Sequence, residues 1–177
     1  MLLLLTGESG CGKTTLCARV VASLKRRGMN VAGVLTLPRF VNGEKASMDV
    51  EDVRSGERDV LAVRAEAGTG TARLGWKFDS AGLARGDLIL RAATPCDVLV
   101  VDELGPLELD SSQGWVVALE VLRAGKFDLA IVVVRPSLIV NFETNVKLDR
   151  VITLTALNRE ESFAEIIDSL ELYKHSD

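Results

Sequence analysis

Residues 7–14 read Gly7-Glu8-Ser9-Gly10-Cys11-Gly12-Lys13-Thr14, and this stretch decides the fold. It meets G-x-x-x-x-G-K-[ST], the pattern of a phosphate-binding loop. At average residue usage, about 0.01 chance hits are expected in a chain this long. The setting agrees with the motif. The apolar run Leu2–Leu5 precedes it and a helix-forming stretch follows, which gives strand, loop, helix. Glycines at 7, 10 and 12 let the chain curl, so that successive N–H groups turn inward on phosphate oxygens. The helix that follows adds the positive end of its dipole. Lys13 is expected to reach the β- and γ-phosphates, and the Thr14 hydroxyl to bind a Mg²⁺ ion bridging them. Glu8, Ser9, Cys11 and Thr15 complete the run expected to contact nucleotide.

The second signal is CDVLVVDELGPLEL, from Cys96 to Leu109. An apolar strand ending in Asp is the Walker-B pattern, and it carries Asp102 to the carboxyl edge of the sheet, where the loop also lies. There Asp102 is expected to hold Mg²⁺. Glu103 follows directly and is assigned the general base that polarises the attacking water. Glu108 is open between positioning water or metal and facing solvent.

The bulk numbers set bounds on partners. The chain has 177 residues, 47% hydrophobic and 26% charged, with a net charge of −4. Those values suit one domain over residues 1–177 with an adequate core. An acidic chain argues against a nucleic-acid or membrane-surface footprint. The basic run Lys25-Arg26-Arg27 before Gly28 reads as a helix C-terminus. No apolar run is long enough to span a bilayer, and Met1–Leu5 is too short for a signal sequence, so a cytoplasmic location is expected. Cys11, Cys17 and Cys96 show no paired or metal-ligand spacing, which suits free thiols. The single histidine, His175, rules against a His-based triad or zinc centre.

Apolar runs alternate with amphipathic stretches, the pattern of an α/β sheet with helices on both faces. Strands are expected at Leu2–Leu5, Asn30–Leu37 (ended by Pro38), Asp97–Val101, Leu129–Val134 and Val151–Leu154. Helices are expected at Thr14–Arg27, Asp79–Ala93, Trp115–Leu122, from Pro136, and at Glu160–Leu172. Residues 39–78 differ, with Gly43, Gly56, Gly68, Gly70 and Gly75 between short alternating segments. Small strands at Lys45–Val50, Asp59–Val63 and Arg73–Phe78 would form an antiparallel insert on one side of the sheet.

With those residues in hand, the chain resembles the small nucleoside-triphosphatases of the cancer-related and thermophilic type. The matching segments are GESGCGKTTL (7–16), GVLTLPRFVNGEK (33–45), Ser55-Gly56-Glu57 with Leu61-Ala62, GWKFD (75–79), VVDELGPLEL (100–109) and Asn158-Arg159-Glu160. They run in family order over nearly the whole chain. The resemblance implies a RecA-like P-loop fold with a mostly parallel sheet. It also implies slow, Mg²⁺-dependent hydrolysis of ATP, GTP and other nucleoside triphosphates to diphosphate and phosphate, with little base preference. It places Asn158 and Arg159 near the base or ribose; a helix cap at Asn158 with Arg159 exposed is the structural alternative. The chain departs from the family where Ala46, Ser47 and Met48 follow Lys45, and at Trp115.

Hydrolysis also needs positive charge on the γ-phosphate. Lys13 supplies one charge, and Arg135 and Arg39 are candidates for another. Two other functions fit the same loop: a P-loop kinase of a nucleoside, nucleotide or polynucleotide, with residues 39–78 as acceptor site, and a nucleotide-dependent switch in cofactor assembly. The protein partner is open.

Overall fold

The computed structural model describes residues 1–65 and 75–174, with side chains to residue 170. Five strands run parallel: β1 (Leu2–Thr6), β2 (Val31–Val41), β6 (Cys96–Leu104), β7 (Phe127–Val134) and β8 (Arg150–Thr153). Three more run antiparallel: β3 (Glu44–Asp52), β4 (Arg58–Arg64) and β5 (Trp76–Phe78). Among the described residues they form one sheet in the order β5-β4-β3-β2-β6-β7-β1-β8. The sheet is therefore mixed, mostly but not wholly parallel. The antiparallel insert lies on one side of the sheet, as expected, and is continuous with it through β2.

The parallel strands read as continuous apolar runs because both of their faces are covered. Leu3 and Leu5 pack with Leu16 and Val20 of α1 (Lys13–Arg26) and Ile166 and Leu170 of α6 (Arg159–Lys174). Leu2 and Leu4 point the other way. They join Leu90 of α2 (Ser80–Arg91), Leu119 and Leu122 of α4 (Val117–Ala124), and Phe142 of α5 (Ile139–Glu143). Each fully buried Leu contributes about 2 kcal/mol relative to exposure. The helices thus bind to both faces through alternate residues of the same strand.

Local chemistry sets the element ends. Gly28, at φ 76°, turns the chain out of α1 as the basic run predicts. Asp79 caps α2, its carboxylate accepting from Gly82 N at 2.9 Å. Pro38 does not end β2, which continues to Val41. The reason is its neighbours: β2 pairs with β6 only over Val31–Val34, so Pro38 has β3 alone beside it. A residue without an N–H is tolerated where one side of the strand has no ladder to feed. A short helix not expected from the sequence, α3 (Pro106–Leu109), follows β6. The helix expected from Pro136 begins as a 3₁₀ turn (Pro136–Leu138) and continues as α5. Residues 73 and 74 of the third insert strand, Gly68, Gly70 and His175 lie outside the described residues. No helix among the described residues is long and apolar enough to cross a membrane.

Candidate active site at the carboxyl edge of the parallel strands

Because β1, β2, β6, β7 and β8 are parallel, their carboxyl ends share one edge. That edge gathers the loop after β1, Thr36 of β2, Asp102 and Glu103 of β6, Arg135 after β7, and the turn after β8.

The loop is shaped by what surrounds it. Gly7 has φ 140°, and a Cβ there would lie 2.3 Å from the Leu154 carbonyl oxygen. Only glycine lets the end of β8 approach this closely. Lys13 is buried, and its Nζ donates to the carbonyls of Gly7 (2.6 Å) and Glu8 (2.9 Å). The ammonium is tied across the loop's own mouth. From the other side Arg159 donates Nε to the Cys11 carbonyl at 3.0 Å and lies over Gly12.

Asp102 has no solvent exposure. Its Oδ1 accepts from the Thr14 hydroxyl at 3.3 Å, and its Oδ2 from Thr36 N at 3.3 Å. The Thr36 hydroxyl also donates to the Asp102 main-chain oxygen. Burial is the largest influence on this carboxyl and pushes its pKa up to about 7. The Thr14 bond opposes that, Glu103 adds to it, and Thr36 N and Lys13 oppose it less. A buried carboxylate with a hydroxyl beside it, both hard oxygen donors, fits Mg²⁺, which takes one or two protein ligands and completes its shell with phosphate and water. The described residues hold no cluster of three or more His, Cys, Asp or Glu side chains suited to a metal. That is compatible with an ion held mainly by its nucleotide.

A one-residue bulge interrupts β6 where Val101 pairs with Val132 and Leu104 with Val134. Bulges re-aim side chains at strand ends. Glu103 is partly exposed here, and its Oε1 accepts from Arg135 Nε at 2.5 Å. Arg135 therefore meets the carboxylate assigned as base. Arg39 points elsewhere, to the buried Asp49 at 2.5 Å, and holds β2 to β3.

Glu108 does not face solvent, one of the two sequence expectations, and both of its oxygens take part in backbone bonds. It is 7% exposed, accepting Gly105 N at 2.9 Å through Oε2 and Trp115 N at 3.0 Å through Oε1. It is a brace for the loop after β6. Burial pushes its pKa up, and the two backbone bonds act against that. Asn158 is also committed locally. Its Oδ1 accepts from Thr155 N (2.7 Å) and the Thr155 hydroxyl (3.0 Å), and its Nδ2 donates to the Thr153 carbonyl at 2.9 Å. The side chain closes the turn after β8 rather than capping α6. Two residues at the site escaped sequence reasoning. Thr36 had no signal beyond a polar residue in an apolar strand. Lys45 stands in an insert, yet it belongs to the site: burial lowers its pKa, Glu103 opposes that, and Arg135 and Asp102 act in opposite directions to a smaller extent.

A phosphate-cradling loop set beside a buried carboxylate, with a second carboxylate one residue on, is the construction of a nucleotide-using α/β protein. A family model described as NTPase matches residues 2–167. The nucleoside-triphosphatase THEP1 of Pyrococcus abyssi is 32% identical over 165 residues, covering 92% of this chain and 88% of that protein. That of Methanopyrus kandleri is 35% identical over 108 residues, and the match spans 61% of this chain and 59% of that protein. The solution structure of a human cancer-related nucleoside triphosphatase superposes with a TM-score of 0.70 at 24% identity, over 94% of this chain and 95% of that one. The chain belongs to the NTPase family, whose curated relatives are nucleoside-triphosphatases, hydrolases of phosphoanhydrides.

Proposed function

We propose that this chain is a Mg²⁺-dependent nucleoside-triphosphatase converting a triphosphate to diphosphate and phosphate, with broad base tolerance, as one RecA-like P-loop domain of residues 1–177 working in the cytoplasm. The observation that carries the reading is the contact between Thr14 and the buried Asp102, with Glu103 next in the chain and Lys13 one residue before Thr14. The position of β7 between β1 and β6 supports the RecA-like assignment.

In this reading the loop amides from Gly7 to Thr15 hold the phosphates, and Lys13 exchanges its bonds to Gly7 and Glu8 for phosphate oxygens. Thr14 and Asp102 would hold the Mg²⁺, which would supply charge neutralisation to the phosphates. Glu103 takes the proton of the attacking water at Oε2, while Arg135 fixes the carboxylate through Oε1. The water oxygen bonds to the γ-phosphorus as the bridge to the β-phosphate breaks, and the diphosphate leaves. Lys45 faces the same carboxylates and adds positive charge there. Arg159 steadies the loop from behind, and Asn158 shapes the turn that approaches the base. Contacts made to phosphate, which every triphosphate shares, support weak base selection.

The test is phosphate release from a panel of nucleoside triphosphates, with and without Mg²⁺, for the wild type and Glu103→Gln. Release that needs Mg²⁺ and disappears in the variant supports the reading. Equal release from both proteins removes Glu103 from the base role.

A further inference from the structure

Beside the phosphate end of the site is a cavity of about 230 Å³. A single water, the only second reactant hydrolysis requires, needs about 10–15 Å³ of such space, so there is room for a larger reactant. Its walls fall into two chemical halves. One half is apolar and aromatic, formed by Trp76, Phe78, Trp115, Leu61 and Leu83. The other half is polar, formed by Thr14, Thr36, Lys45, Glu103 and Arg135. Thr14, Lys45, Glu103 and Arg135 of the polar half also serve the triphosphate site in the reading above.

The aromatic half is built rather than incidental. Trp115 is buried, and its indole Nε1 donates to the Leu83 carbonyl at 3.0 Å. A Cβ on Gly86 of α2 would sit 2.3 Å from that ring, so α2 is pared down to seat it. Trp76 lies across the insert with Lys45 Nζ 5.1 Å from its ring centroid. Glu103 beside Lys45 and Arg135 leaves the rim with both signs of charge, which disfavours a strongly charged occupant. A planar π-face suits the aromatic walls, and neutral hydroxyls suit the polar rim.

We propose that this cavity is an acceptor subsite for a nucleoside, and that the chain carries a phosphotransferase activity alongside hydrolysis. The inference rests on the same triphosphate site proposed above. The base stacks against Trp76, with the buried Trp115 backing the wall, and a sugar hydroxyl lies where the attacking water otherwise sits. That hydroxyl gives its proton to the Glu103 carboxylate, and its oxygen bonds to the γ-phosphorus. The bond from the γ-phosphorus to its bridging oxygen breaks, and the nucleoside diphosphate departs with that electron pair. The products are a nucleoside monophosphate and a diphosphate.

The test uses adenosine as probe and GTP·Mg²⁺ as donor, so that AMP and GDP are separable. The chain's two tryptophans, Trp76 and Trp115, both line this cavity, so tryptophan emission responds to its occupant. Millimolar adenosine is expected to change the emission of the GDP·Mg²⁺-loaded protein. In turnover, AMP accumulates while phosphate release falls. In Trp76→Leu, which keeps apolar bulk but loses the π-face, the ratio of AMP formed to phosphate released falls about tenfold. Silent emission, an emission change without AMP, or an unchanged ratio in Trp76→Leu each overturns the proposal. Phosphate release from GTP alone, read in the same preparation, tests the hydrolase reading separately.

Discussion

The sheet has two halves built on different rules, and the site lies along their seam. In the parallel half, Leu3, Leu4 and Leu5 of β1 and Ile131, Val132 and Val133 of β7 are all fully buried. In the antiparallel half, Val60 and Val63 of β4 are 41% and 43% exposed, and Phe40 and Val41 at the tip of β2 are 63% and 58% exposed. The first half is sealed by helices on both faces; the second is sealed in part. The sealed half can bury Asp102 and hold a rigid loop against it. The open half supplies Lys45 and Trp76 from a less constrained surface. Chemistry is expected to depend steeply on the first half and specificity on the second.

The sharpest way to break that division is Glu103→Gln. Removing the base is expected to lower phosphate release by about 10²–10⁴-fold, with nucleotide binding retained, as read by turnover and by equilibrium titration. A loss of binding equal to the loss of rate would place Glu103 in the binding of nucleotide instead.

Arg135→Ala comes next. Freed from its 2.5 Å contact, the Glu103 carboxylate loses its orientation, and the rate is expected to fall by up to about 10²-fold. As a positioning residue, Arg135 should show little additional effect in the Glu103→Gln background, and Arg135→Lys should recover part of the rate. Full additivity in the double variant would show that Arg135 acts on the phosphate directly.

These two contrasts explain what the sequence made legible. The loop and Asp102 were readable because their chemistry fixes residue types at fixed spacing, and because a strand buried on both faces writes a continuous apolar run. The insert was readable only in outline. Pro38 looked like a strand end because a proline's effect depends on whether a neighbouring strand lies against its nitrogen, which is a property of topology. Glu108 was ambiguous because its partners, Gly105 N and Trp115 N, are backbone groups that leave no pattern in side-chain type. Thr36 and Lys45 reach the site through pairing of β2 with β6 and with β3, distant in sequence. Helix periodicity placed α2 and α6 to within a few residues, since their apolar stripes face a core that the strands already define.

Asp102 gives the third contrast, a pH dependence peculiar to the sealed half. Its pKa of about 7 means that Mg²⁺ must displace a proton below neutrality. Apparent Mg²⁺ affinity is expected to fall about tenfold per pH unit below 7 and to level off above it. The dependence disappears in Asp102→Asn. Calorimetry in buffers of different ionisation heat reads the proton release. The sign for stability without Mg²⁺ is opposite. A folded pKa above the ordinary carboxylate range means the folded protein binds the extra proton, so this stabilisation is complete below about pH 4 and is lost as pH rises through 7. Thermal melts in chelator across that range check it.

The smallest effect separates two carboxylates five residues apart. Glu103→Gln and Glu108→Gln are the same chemical change, but the first lies at the polar rim and the second is a brace with both oxygens used by backbone donors. An amide has one acceptor oxygen, so Glu108→Gln leaves one buried N–H facing another donor. The cost is expected to be about 1 kcal/mol. That lowers the melting temperature by about 3 °C for a chain of this size. Gly114 lies close against this carboxylate, since a Cβ there would be 2.2 Å from Glu108 Oε1. Phosphate release should change about twofold or less, far below the Glu103→Gln effect. A rate loss in Glu108→Gln comparable to that in Glu103→Gln, with the melting temperature unchanged, would move Glu108 from the scaffold to the chemistry and erase the division drawn between rim and brace.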